Sequence, residues 1–156
     1  MLYKVLVILH LLGATIWVGG HIVLIAGVLP AALRKGDPAP VLEFERFFAR
    51  LGLSALAVQV ITGVWLAHIW LGGWTNLGGF SMPAAGPVVI KLALLFATLA
   101  QAGWAYHRVL PKLRTAAVEG GPPGPLRSFA RHAWITGMLA VLMVIVGASV
   151  RLGGVS

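Results

Sequence analysis

Residues 5–33 read VLVILHLLGATIWVGGHIVLIAGVLPAAL, 29 positions between Lys4 and Arg34 without one Asp, Glu, Lys or Arg. A bilayer core is crossed by about 20 apolar residues in helical form, so this stretch predicts a transmembrane helix. Further along, Leu51 to Ile90 is uncharged over 40 residues, room for a crossing, a turn and the start of another crossing. Leu92–His107 and His132–Val150 complete the set. No water reaches backbone groups inside hydrocarbon, so each span is expected to be helical.

Composition agrees with that reading. Of 156 residues, 59% are apolar and 10% charged, and the mean hydropathy is +0.93, far from the profile of a water-soluble domain. The expected fold class is all-α, an integral membrane four-helix bundle forming a single transmembrane domain over residues 1–156. Pro30, Pro38 and Pro40 punctuate the first connection and the Gly/Pro run 120–125 the third, which places the helices at roughly 2–31, 42–71, 87–113 and 126–152. The middle connection, residues 72–83, is uncharged, with Trp70, Trp74 and Phe80 in or beside it. That is the composition of an interfacial loop, a candidate lid or docking surface.

Nine of the twelve cationic residues flank the first and third connections: Arg34, Lys35, Arg46, Arg50, Arg108, Lys112, Arg114, Arg127 and Arg131. The positive-inside rule makes that side cytoplasmic, with both termini outside. The expected location is a bacterial-type inner (plasma) membrane, crossed several times. A formal charge of +8 is then a topology signal, and no nucleic-acid partner is expected. Cysteine is absent, which removes disulfides and thiolate metal sites.

The chemistry rests on histidine. All five, His10, His21, His68, His107 and His132, fall inside or at the ends of the predicted spans, whereas Asp37, Glu43, Glu45 and Glu119 lie in or beside the basic connections. An ionisable residue within a span is a functional hypothesis by default, and imidazole is the commonest protein ligand for transition metals. His10 and His21 are eleven residues apart, three helical turns plus roughly 20° with a rise of about 16 Å. They share a face at two depths. Counting from the predicted helix ends, His68 falls level with His10, while His107 and His132 fall level with His21. Gly13 and Ala14 after His10, and Gly103 before His107, leave room for a flat cofactor on those faces.

Lys91 stands alone about one turn into the third predicted helix, placed to bind a propionate, attract an anion or snorkel outward. Met143, eleven residues after His132, is a candidate thioether ligand or core filler.

The run HLLGATIWVGG, His10 to Gly20, resembles the first helix of the CopD-type copper-resistance membrane family and of the related HemJ proteins, and Lys91–His107 is similar to the third helix of that group. The resemblance implies a small helical membrane protein tied to haem or copper. In HemJ proteins a first-helix His and a third-helix Lys are associated with haem binding and protoporphyrinogen oxidation. His10 and Lys91 match those positions; His21, His68 and His132 are additional.

The residues together predict a membrane b-type cytochrome with two haems. His10 and His68 ligate the outer one, and His21 with either His107 or His132 the inner one. Electrons would cross between the porphyrins, with quinone or a small oxidant or reductant such as superoxide as partner. The alternatives are a CopD-like copper transport or resistance protein, ranked lower because Met1, Met82, Met138 and Met143 form no close cluster, and a HemJ-like protoporphyrinogen oxidase. Whether the chain forms a homo-oligomer stays open at this level.

Overall fold

A computed structural model describes residues 1–76, 85–120 and 124–151, and among these every regular element is helical. Four long helices, α1 (Leu2–Lys35), α2 (Ala39–Leu71), α3 (Gly86–Glu119) and α4 (Gly124–Arg151), are each long and apolar enough to cross a membrane. Trp74–Asn76 adds a short 3₁₀ turn after α2. The lid or docking surface expected in the middle connection lies largely outside the described residues.

α1 and α3 run past their expected ends at 31 and 113, and each carries a proline that it accommodates in the same way. Pro30 and Pro111 have no N–H to donate, and their rings crowd the carbonyl four residues back. Each helix answers with one widened π turn just before the proline, Leu24–Val28 and Ala105–Val109. There Leu29 N–H bonds to the Leu24 carbonyl and Leu110 N–H to the Ala105 carbonyl, five residues back. Each helix then continues, and stops where Gly36 and Gly120 take the left-handed conformation, with φ of 67° and 65°.

α1 packs against α2, α3 packs against α4, and α1 with α4 joins the two pairs. The first contact is close because of glycine. A Cβ at Gly13 would sit 2.9 Å from the Ala55 carbonyl oxygen, and one at Gly20 would run into the Phe48 ring. Small residues that let backbones approach are what drives helix association where lipid is as apolar as leucine. The outward faces carry large apolar side chains such as Leu11, Ile22, Phe47, Ile61, Phe96 and Ile145, a surface suited to lipid rather than water.

Two packed layers fill the bundle. At the end bearing the basic connections, Leu24, Leu29, Ala32, Val41, Leu110, Leu113 and Phe129 form the main core. Next to it, toward the termini, lie Trp17, Phe48, Leu56 and Ala140. α2 and α3 touch chiefly at the termini end, through Ala67, Leu71, Val88 and Leu92. Between that contact and the Trp17 layer the two helices stand apart, and the gap is a cavity.

Candidate functional site

The cavity has a volume of about 580 Å³ and is lined by all four helices, within the roughly 300–1,000 Å³ typical of small-molecule sites. Its walls are mostly apolar, with Ala14, Gly63, Ala67, Ala140 and Gly147 leaving room where larger side chains would fill it. The polar groups are few: His10, Thr15 and Trp17 from α1, Gln59 and Trp70 from α2, Lys91 and Thr98 from α3, and the Met143 thioether from α4.

His10 is fixed by α2. Its Nδ1 lies 3.1 Å from the Gln59 carbonyl oxygen and 3.0 Å from Thr62 Oγ1. The carbonyl only accepts, and the Thr62 hydroxyl donates its proton to the Val58 carbonyl at 2.6 Å. Nδ1 therefore carries the ring hydrogen and donates to both, which puts the lone pair on Nε2. This is the tautomer of a metal-ligating imidazole, its other nitrogen held by a backbone carbonyl. Gly63 faces the same ring: a Cβ there would lie 3.0 Å from Cε1.

Lys91 reaches across the cavity from α3 to α4, its Nζ 3.0 Å from where a Cβ on Gly147 would stand. Trp17 is 7% exposed, and its Nε1 is the buried side-chain nitrogen or oxygen without a hydrogen-bond partner among the described residues. An indole N–H left unpaired beside an apolar cavity is an energetic debit that a bound acceptor would relieve. Thr98 is fully buried, donates to the Leu94 carbonyl at 2.8 Å, and lies 4.0 Å from Met143 Sδ.

The other four histidines lie elsewhere. His68 was expected level with His10, yet it stands five residues beyond Gly63, about 7.5 Å further along the axis. It is exposed, and its ring packs on Trp74 at 5.6 Å. The structure does not bring the two together. His21 is buried, donates from Nδ1 to the Trp17 carbonyl at 2.8 Å, and packs between Trp17 at 4.6 Å and Phe48 at 5.7 Å. It lies across from Gly137, whose face toward α1 meets Ile25 and His21.

His132 is five residues before Gly137, about 7.5 Å nearer the basic end. It accepts at Nδ1 from Gln101 Nε2 at 2.6 Å. His107 lies six residues past Gln101, a further 9 Å or roughly so, exposed and edge-on to Tyr106. The three residues expected at one level occupy three. Among the described residues no group of three or more His, Cys, Asp or Glu is arranged to hold a metal ion.

Reasoning on histidine spacing alone missed Gln59, Thr62 and Gln101. The available signal was the rarity of amides and buried hydroxyls in apolar spans, where each must find a partner. The unpaired N–H of Trp17 was not legible from sequence.

Compared with known families, the chain matches the family model described as copper resistance protein D over residues 42–150. That match covers α2, α3 and nearly all of α4, and stops short of His10. No curated protein and no solved structure matches the chain.

Proposed function

This chain belongs to the copper resistance protein D family, and we propose that it handles copper within the membrane, taking the ion as cargo into the cavity at His10. The observation that carries this reading is that an imidazole, His10, and a thioether, Met143, line one mostly apolar cavity, with His10 held in place by Gln59 and Thr62 of α2. Imidazole and thioether are donors that copper accepts, the thioether favouring Cu(I). Both are neutral. Lys91 adds a positive charge to the same space, which opposes a cation bound nearby. The three together suit an exchangeable ion better than a permanently held one.

The layer of Trp17, Phe48, Leu56 and Ala140 closes the cavity from the basic end. Copper reaching His10 from the termini end would be held above this layer, and onward passage would require Trp17 and Phe48 to repack. A competition titration tests the reading: purified protein against a coloured Cu(I) chelator. The unmutated chain should withdraw copper from the chelator, His10→Ala should not, and Met143→Leu should do so more weakly. No withdrawal by the unmutated chain would refute it.

A second reading, an organic redox cofactor in the same cavity, is favoured by two observations: the unpaired Trp17 N–H and the lone ammonium of Lys91. A b-type haem fits the donor set, with His10 to hold the iron and Lys91 to meet a propionate. Such a group, when bound, supplies one-electron transfer. The chain's own part is to orient it through the His10–Gln59 hydrogen bond and to exclude water with the apolar lining. In this form the reading has one centre, because His21, His107 and His132 stand at three depths. Quinone as a partner belongs to this reading and not to the first.

A further inference from the structure

At the basic end a second, smaller pocket of about 220 Å³ opens between α3 and α4, lined by Trp104, Arg108, Lys112, Ser128, Arg131 and His132 among others. Its polar lining consists of donors. Three side chains are cations, the Ser128 hydroxyl can donate, and the hydrogen bond from Gln101 to His132 Nδ1 places the imidazole hydrogen on Nε2. Among the described residues no Asp or Glu lines it. The neighbouring cation Arg114 has Glu45 as a charge partner from α2.

The cations are also pre-positioned. Arg108 lies over the Trp104 indole, its guanidinium carbon 5.5 Å from the ring centroid, an arrangement that holds the fork in place. Pro125 and Ser128 come from the first turns of α4, whose N-terminal end adds partial positive charge. Trp104, Tyr106 and Trp134 are 57%, 53% and 54% exposed. Exposed tryptophan and tyrosine side chains are suited to the headgroup level of a bilayer. The pocket is therefore a donor-rich, cationic recess between α3 and α4 at the basic end of the bundle.

We infer that this recess binds the phosphate of an anionic phospholipid headgroup, clamping α3 to α4 through Arg108, Lys112 and Arg131. Basic recesses between transmembrane helices are suited to such headgroups, and arginine is suited to phosphate through its planar fork. The site is distinct from the His10 cavity, and its test does not depend on what that cavity holds.

The experiment is native mass spectrometry of the full chain released from detergent containing either dioleoylphosphatidylglycerol or dioleoylphosphatidylcholine, with inorganic phosphate as a separate arm. The unmutated chain should retain phosphatidylglycerol and not phosphatidylcholine. Arg108→Gln/Lys112→Gln/Arg131→Gln should weaken that retention on the order of tenfold to a hundredfold. Arg34→Gln/Lys35→Gln/Arg46→Gln, which removes equal charge from the same end, should leave it unchanged. Should the first triple variant fail to fold, Arg131→Gln alone decides, with a several-fold loss expected at this exposed position. Equal losses in the two triple variants would reduce the effect to diffuse charge and overturn the proposal. So would competition by millimolar inorganic phosphate as effective as the lipid, which would make this a free-phosphate site.

Discussion

Gly63 of α2 lies directly against the ring of His10 of α1, so that a Cβ on the glycine would stand 3.0 Å from Cε1. The hydrogen bonds that hold His10 come from the same stretch of α2, at Gln59 and Thr62. One short segment therefore sets both the position and the tautomer of the imidazole. Gly63→Ala should push the ring by a few tenths of an ångström and weaken ligand binding at His10 by about tenfold, the scale of a change beside a metal ligand. Helix content by circular dichroism should be preserved. Unaltered binding would show that Nε2 is not a ligand.

Gly20 and Phe48 make a second close approach, on which the α1–α2 contact depends. A methyl group at position 20 would overlap the Phe48 ring, so Gly20→Ala should destabilise the bundle by about 1–3 kcal/mol, the usual range for overpacking. Pairing it with Phe48→Leu should restore part of the loss. Thermal unfolding in detergent measures both, and additive losses in the double variant would argue against direct contact.

Lys91 distinguishes the two occupants of the cavity. If the occupant is copper, Lys91→Met removes a like charge and should tighten copper binding on the order of tenfold. If it is a haem, the same change should leave haem content largely intact and shift its potential. The chelator competition and a redox titration read these directly. A lysine that only snorkels to the surface moves neither.

The charge distribution predicts topology. A reporter fused after Ser156 should lie outside the cytoplasm, and one inserted at Gly120 inside, because the cations cluster about the first and third connections. The opposite result would invert the direction from which the His10 cavity is filled.

The four helices were legible because uncharged runs such as 5–33 and 51–90 have few alternatives in a chain this apolar. Where α1 and α3 end was less so. Pro30 read as the start of the first connection, and the third helix was expected to end near 113, yet a π turn ahead of Pro30 and of Pro111 lets each helix continue. The place of His10 inside a span was legible. Which residues face it was not, because relative depth is set by contacts that hydropathy does not encode. Gly13 against the Ala55 carbonyl, Gly63 against His10 and Gly137 against Ile25 fix the sliding of one helix along another. Counting inward from estimated helix ends placed His68 beside His10, whereas these contacts place it about one and a half turns away.

The most direct test of copper handling at His10 is elemental analysis, with an absorption spectrum, of protein purified from copper-supplemented cells, comparing the unmutated chain with His10→Ala and His132→Ala. Copper above the background of copper-free growth in the unmutated chain and in His132→Ala, its loss in His10→Ala, and no absorption band of a reduced b-type haem are the results predicted here. Copper retained by His10→Ala, or a copper-free protein showing that band, would contradict the account.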